Sequence, residues 1–159
     1  MKTYKSVTLA ILFALTLNGA FAQDYKTGIG LRLGAPSGIT FKHFYAQKSA
    51  IEGTLSFGWG GVGFTGLYEL HNSIPDVRGL NWYYGAGAHL ATADSHDDNP
   101  WDKDKGDDLF LGVDGVLGLE YTFAEAPICI SLDFSPILNV IESPGVWFNA
   151  GISVRYTFR

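Results

Sequence analysis

The feature that most constrains this chain is an alternation of period two, repeated in eight runs, that puts a wholly apolar face on one side and small or polar residues on the other. The runs lie near residues 24 to 34, 38 to 45, 50 to 59, 62 to 71, 80 to 91, 109 to 123, 128 to 135 and 147 to 158. Successive side chains of a strand point to opposite faces, so each run reads as one β-strand. The separators are turn-like: Ala35-Pro36-Ser37, Gln47-Lys48-Ser49, Gly60-Gly61, Asn72 to Gly79, 92 to 108, Ala124 to Pro127 and Pro136 to Gly145. No later segment carries apolar residues at helical spacing, and the expected fold is all-β: an eight-stranded antiparallel up-and-down barrel.

The occupants of the two faces decide what surrounds that barrel. One face runs from Tyr25, Ile29, Leu31 and Leu33 through Leu109, Leu111 and Val113 to Val154, Tyr156 and Phe158, with no Asp, Glu, Lys or Arg on it. The other holds Arg32, Lys42, Glu52, Glu69, Asp114, Glu120, Asp133 and Arg155, spaced by glycine, serine and threonine. A soluble barrel such as a lipocalin, with an apolar interior, would place its charges outside. Here the charges share the face of the small residues, which fits a narrow polar interior and a lipid-facing exterior. Closure pairs every backbone N–H and C=O where no water is available, and the run lengths suit tilted strands crossing the apolar layer.

The N-terminus agrees with export. Lys2 and Lys5, the apolar run Val7 to Leu17 and Ala20-Phe21-Ala22 have the order of a secretory signal peptide, with cleavage expected between Ala22 and Gln23. The run falls short of the about 20 residues a transmembrane helix needs. Residues 1–22 are thus expected to be removed, leaving 23–159 as one barrel domain. Cleavage takes away two lysines and no acid, leaving nine basic against sixteen acidic side chains, a net charge of −7 over 137 residues. That balance argues against a nucleic-acid partner, whose phosphates demand Lys and Arg. Cys129 is the single cysteine, so no internal disulfide forms.

An even strand number puts both ends of the barrel domain on one side, the periplasmic one in this class. The connections after odd strands then face outward and include the two longest, 92–108 and 136–146. On this topology Tyr25, Tyr45, Tyr68, Trp82, Tyr84, Tyr121, Phe123, Tyr156 and Phe158 fall toward the periplasmic ends of their strands, as an aromatic girdle at the headgroup level.

The last run, Trp147 to Phe158, alternates and ends Tyr156-Thr157-Phe158, with Arg159 after it. It resembles the C-terminal strand, here with Tyr156 and Phe158 as insertion signal, that outer-membrane barrels present to their insertion machinery. With the export signal and eight strands, the chain resembles the small outer-membrane β-barrel family that includes outer membrane protein X and the membrane domain of outer membrane protein A. The resemblance implies outer-membrane location, lipid and the insertion machinery as partners, and no cofactor. It also implies mostly non-enzymatic roles in envelope integrity, adhesion or host contact, beside a few lipid A-modifying enzymes.

Candidate chemical motifs are few. Gly58-Trp-Gly60-Gly-Val-Gly63 satisfies GxGxxG, yet an alternating run follows where a phosphate-binding helix should begin, so it reads as a tight turn. His71-Asn72-Ser73 with Glu69 resembles the His-x-Ser and acidic set of the lipid A deacylase barrels, in which an imidazole activates a serine. The topology places it in a periplasmic turn, away from that substrate. Residues 94 to 108 carry Asp94, Asp97, Asp98, Asp102, Asp104, Asp107 and Asp108, but Gly106 stands where a third calcium ligand belongs and no glutamate closes the loop. A solvated surface loop is the default there. His89 and Cys129, on the inner face, carry no assigned chemistry, and neither a catalytic residue nor a metal ligand is designated.

The inner-face charges form the remaining constellation. Arg32, Lys42 and Arg155 lie on runs one, two and eight, which adjoin once the barrel closes, and Glu52, Glu69, Asp114, Glu120 and Asp133 lie on runs three, four, six and seven. Counting from the second turn puts Lys42 beside Glu52, with Arg155 and Glu120 in the periplasmic half and Arg32 and Asp114 in the outer half. Charges in so narrow a space must be paired or wet, so a plugging salt-bridge network and no open pore are expected. The overall expectation is a non-enzymatic envelope or surface-interaction barrel, with a lipid A-modifying enzyme and a soluble ligand-binding barrel as rivals.

Overall fold

The computed structural model describes residues 25–58, 61–93, 108–141 and 145–158. Eight strands follow in order: β1 (Thr27–Gly34), β2 (Ser37–Ala46), β3 (Ser49–Gly58), β4 (Gly61–Ser73), β5 (Leu80–Ala93), β6 (Asp108–Thr122), β7 (Ile128–Asn139) and β8 (Gly145–Phe158). Each pairs antiparallel with its neighbours and β8 returns to β1, giving a closed barrel with no unmatched sheet edge strand. The near end is where β1 begins and β8 finishes; the far end carries the β1–β2, β3–β4, β5–β6 and β7–β8 connections.

The pairing register fixes the barrel's dimensions. A walk along paired positions from Thr157 passes Gly28, Lys42, Glu52, Leu67, Gly87, Asp114 and Ile137, and returns to β8 at Trp147, a stagger of 157 − 147 = 10 residues. Strand number and stagger together set tilt and diameter, and eight strands tilted by roughly 35–45° enclose a space that side chains just fill. The stagger also makes the far rim uneven. β1 ends at Gly34 opposite Gly151, while β8 continues to Gly145 and β6 is the longest strand at 15 residues.

Burial separates the faces as the alternation requires. Along β7 every odd-numbered residue from Cys129 to Asn139 is buried and every even-numbered one from Ile128 to Leu138 exposed, and β8 repeats the pattern from Asn149. Within the strands the large exposed side chains are apolar, among them Leu31, Phe64, Leu117, Leu132 and Ile152. Lys42, Glu69, His71 and Arg155 are wholly buried, and Glu52, Asp114, Glu120 and Asp133 nearly so. The distribution is the reverse of the apolar interior and charged exterior of a lipocalin-like barrel.

Three local readings are corrected. The turn chemistry of proline predicts a loop starting at Pro136, but β7 continues to Asn139, with Pro136 facing outward opposite Phe148 on β8. Pro136 lacks an N–H, and the β6–β7 ladder skips Gly115–Val116 while resuming in the same register at Asp114↔Ile137. Gly115 has no side chain to meet the pyrrolidine ring, which would lie 3.1 Å from a Cβ there. The far β7–β8 connection therefore begins only at Val140. His71 and Ser73 lie within β4 rather than in a turn, because pairing with β5 persists to Ser73↔Asn81.

The third correction concerns Tyr25. It shares the parity of Ile29 but precedes the first residue of β1, and is 3% exposed. The chain bends into the near mouth, where the ring meets Phe44 edge-on at 5.2 Å and the hydroxyl donates to Glu120 Oε1 at 3.0 Å. It closes the lumen instead of joining the girdle. Tyr45, Tyr68, Trp82, Tyr84, Tyr121, Phe123, Tyr156 and Phe158 remain on the outer face, several in contact: Trp82 with Tyr84 (5.4 Å), Tyr121 with Phe123 (4.9 Å) and Tyr156 with Phe158 (5.0 Å). Tyr68 and Tyr84 sit deeper along their strands than the others.

Candidate functional site in the barrel lumen

The inner face brings the charged side chains together in three groups. At the centre, Lys42 Nζ lies 3.0 Å from Glu52 Oε2, 2.8 Å from Glu69 Oε2 and 3.1 Å from Glu120 Oε2, and 4.2 Å above the centre of the Tyr83 ring. Arg155 completes this group. Its guanidinium donates to Glu52 Oε1 at 2.6 Å, Ser131 Oγ at 2.9 Å and Glu120 Oε2 at 3.4 Å, and its Nε to Thr40 Oγ1 at 3.3 Å. Thr40 in turn donates to Glu52 Oε1 at 2.6 Å. Buried ions are tolerable when each lone pair and proton is occupied in this way. Lys42 and Glu52 occupy paired positions of β2 and β3, so their meeting follows directly from register.

Toward the far end, Arg32 binds Asp133 through both terminal nitrogens, at 2.5 and 2.7 Å, a bidentate arrangement suited to the planar guanidinium. Tyr83 adds a hydroxyl to Asp133 Oδ2 at 3.4 Å. Asp114, grouped with Arg32 by the sequence reading, pairs instead with His89, whose Nδ1 lies 2.7 Å from Asp114 Oδ1 while Nε2 lies 2.9 Å from Asn139 Oδ1. Asp114 is on β6 next to β5, whereas Arg32 on β1 reaches the other way, past β8 to β7. His89, given no role from sequence, is thus part of the polar lumen.

A shared device lets these side chains reach so far. Arg32 crosses β8 at Gly151 to meet Asp133, Tyr83 crosses β6 at Gly118 toward Asp133, and His89 crosses β6 at Gly112 to meet Asn139. A Cβ at any of these glycines would collide with the ring or guanidinium lying over it. Gly151, Gly118 and Gly112 are therefore passages for these three side chains. The sequence shows this as a glycine at the position of the next strand paired with Tyr83, His89 or Asp133, a signal visible only once register is known.

The resemblance to a His-activated serine is not realised as a catalytic pair. His71 Nε2 lies 2.9 Å from Glu69 Oε2, and the ring stacks on Tyr83 at 4.8 Å and meets Phe44 at 4.7 Å; the Ser73 hydroxyl donates to Asn81 at 2.9 Å. Cys129 is buried, its thiol 3.7 Å from the Tyr25 hydroxyl. The acidic stretch 94–107 and Trp59-Gly60 of the GxGxxG match lie outside the described residues. Tyr156 and Phe158 stand exposed on the outer face. Phe44, Tyr83 and Phe110, absent from the sequence reading, fill the lumen beside the charges.

The crystal structure of the N-terminal β-barrel domain of Pseudomonas aeruginosa OprF is similar to this one, with a TM-score of 0.62 at 16% sequence identity, covering 83% of this chain and 95% of that one. The expected fold class, an eight-stranded antiparallel closed β-barrel, therefore holds. Neither a protein-family model nor a curated protein matches the sequence.

Proposed function

We propose that this chain is a non-enzymatic outer-membrane protein, exported through residues 1–22 and acting in envelope structure or surface interaction through its far-end connections. The observation that carries the reading is the pairing of a continuous exposed apolar exterior with a charged, side-chain-filled interior, a combination that serves a protein surrounded by lipid and has no use in water. The girdle pairs near the end carrying both termini suit that end facing the periplasm. Lipid is then the constant partner, the insertion machinery the partner during assembly, and the surface ligand meets the β5–β6 connection, residues 94–107, and the shorter β7–β8 connection.

The test is fractionation of expressing cells followed by proteolysis of intact cells. The expected result is an outer-membrane protein cut within residues 94–107 from outside. A chain left in the soluble fraction, or one cut there only after the envelope is opened, overturns the reading. Lipid A of unchanged mass with and without expression is the matching expectation for a barrel without enzymatic activity.

A further inference from the structure

Above the Lys42 group the lumen is not completely filled. A cavity of about 40 Å³ remains there, with Glu52, Glu69, Asp114 and Asp133 on its wall together with Arg32 and Tyr83. One water needs roughly 10–15 Å³ on the same measure, so the space admits a small ion with a water or two.

The wall carries an imbalance of charge. Glu52 is occupied by Lys42, Arg155 and Thr40, and Asp133 by both terminal nitrogens of Arg32. Glu69 and Asp114 are each satisfied on one oxygen only. Glu69 Oε2 takes Lys42 and His71, Asp114 Oδ1 takes His89, and neither Glu69 Oε1 nor Asp114 Oδ2 meets a hydrogen-bond donor among the described residues. The two residues are 0% and 5% exposed. Buried carboxylate oxygens are rarely left without a partner. Among the described side chains of the lumen, the five carboxylates Glu52, Glu69, Asp114, Glu120 and Asp133 face three permanent cations, Arg32, Lys42 and Arg155.

We propose that this cavity is a binding site for a small monovalent cation, of the size of potassium or ammonium, held by the Glu69 and Asp114 carboxylates. A dehydrated divalent ion suits the site poorly, since such ions want six or more oxygens, the three carboxylates that do converge close on Lys42 Nζ, and no other group of three able to hold a metal occurs among the described residues. A monovalent ion needs only the charge, a few oxygens and its own water. The inference stands on the lumen alone and is separate from the role of the surface connections.

The test compares unfolding temperatures of the detergent-refolded exported chain in potassium chloride and in N-methylglucamine chloride at equal ionic strength and neutral pH. Potassium is expected to raise the midpoint by roughly 2–4 °C, as a ligand binding the folded state does, while N-methylglucamine is too large to enter. The rise should disappear in Asp114→Asn and Glu69→Gln and persist in Glu125→Gln, at the exposed β6–β7 turn. If Glu69→Gln does not refold, Asp114→Asn decides. Equal midpoints in the two salts, or a rise retained in Asp114→Asn, overturns the proposal. Crystals grown with thallium(I) should show an anomalous peak against Glu69, and its absence counts the same way.

Discussion

Lys42 on β2 and Glu120 on β6 meet across the whole width of the barrel, Nζ to Oε2 at 3.1 Å, from strands that stand opposite each other in the ring of eight. Each end of this bridge is anchored further, Lys42 to Glu52 and Glu69 and Glu120 to Tyr25 and Arg155. The lumen is thereby tied wall to wall, and the energy of the tie depends on charges removed from water together.

Lys42→Met leaves Glu52, Glu69 and Glu120 with Arg155 as their one permanent cation among the described residues. Breaking a buried ion group from one side typically costs about 3–5 kcal/mol, because the partners stay charged and unmatched. Glu120→Gln added to Lys42→Met should cost about 0.5–3 kcal/mol less than Glu120→Gln costs alone, the coupling expected of contacting groups. Urea unfolding of the two single variants and the double variant measures it, and strict additivity would remove the pair from the account.

Arg155→Ala should destabilise by a similar amount, since it withdraws one guanidinium from Glu52, Glu120, Ser131 and Thr40 together. On unboiled gels the variant should lose its compact, fast-running form at a lower temperature than the parent. The same transition temperature for both would mean that the lumen is wet enough to solvate the exposed carboxylates.

Gly118→Ala tests the passage role of the inner glycines. Its new methyl group would enter the Tyr83 ring and push it off Lys42 and Asp133, at a cost of roughly 1–3 kcal/mol as for other overpacked interiors. Gly53→Ala is the control. Its Cβ would stand 3.7 Å from the Phe64 ring on the outer face, an ordinary contact, and the variant should be neutral or slightly more stable in the same unfolding assay.

Leu132→Arg, within β7 on the outer face, is expected to reduce stability in lipid vesicles by about 2–4 kcal/mol, and Val146→Arg, at the far rim of β8, by no more than about 1 kcal/mol. A depth-dependent cost of this kind arises from hydrocarbon outside the barrel. Equal small effects at both positions would mean that water lies there.

Fold and lumen were unequally legible in the sequence. Alternation located all eight strands because the outer face carries no charged residue in any of them, and this constraint is written into every second residue. It misplaced Tyr25 because parity holds only inside a strand, and the chain before Thr27 is free to bend inward. It ended β7 too early because proline is a turn residue by local chemistry, while a neighbouring glycine and an interrupted ladder accommodate it within the sheet. The charged set was visible as a set, and Lys42 with Glu52 followed from a short turn. Arg32 with Asp133 and His89 with Asp114 did not, since each depends on how far a side chain reaches across the curved wall. Tyr83 stayed hidden between Asn81 and Gly85 because a large aromatic on a polar face gives alternation nothing to detect.

The seam between β1 and β8 pairs Thr27 with Phe158, nearly the first and last residues of the folded chain. Closing it brings together positions at the greatest possible contact order, and such pairings form slowly because the intervening chain must be arranged before they reward it. Until the last strand is in place, the other seven have two raw edges, each able to template pairing with a foreign strand. A ribosome that stops short of Gly145 therefore makes no smaller barrel, only an open sheet whose edges seek other chains.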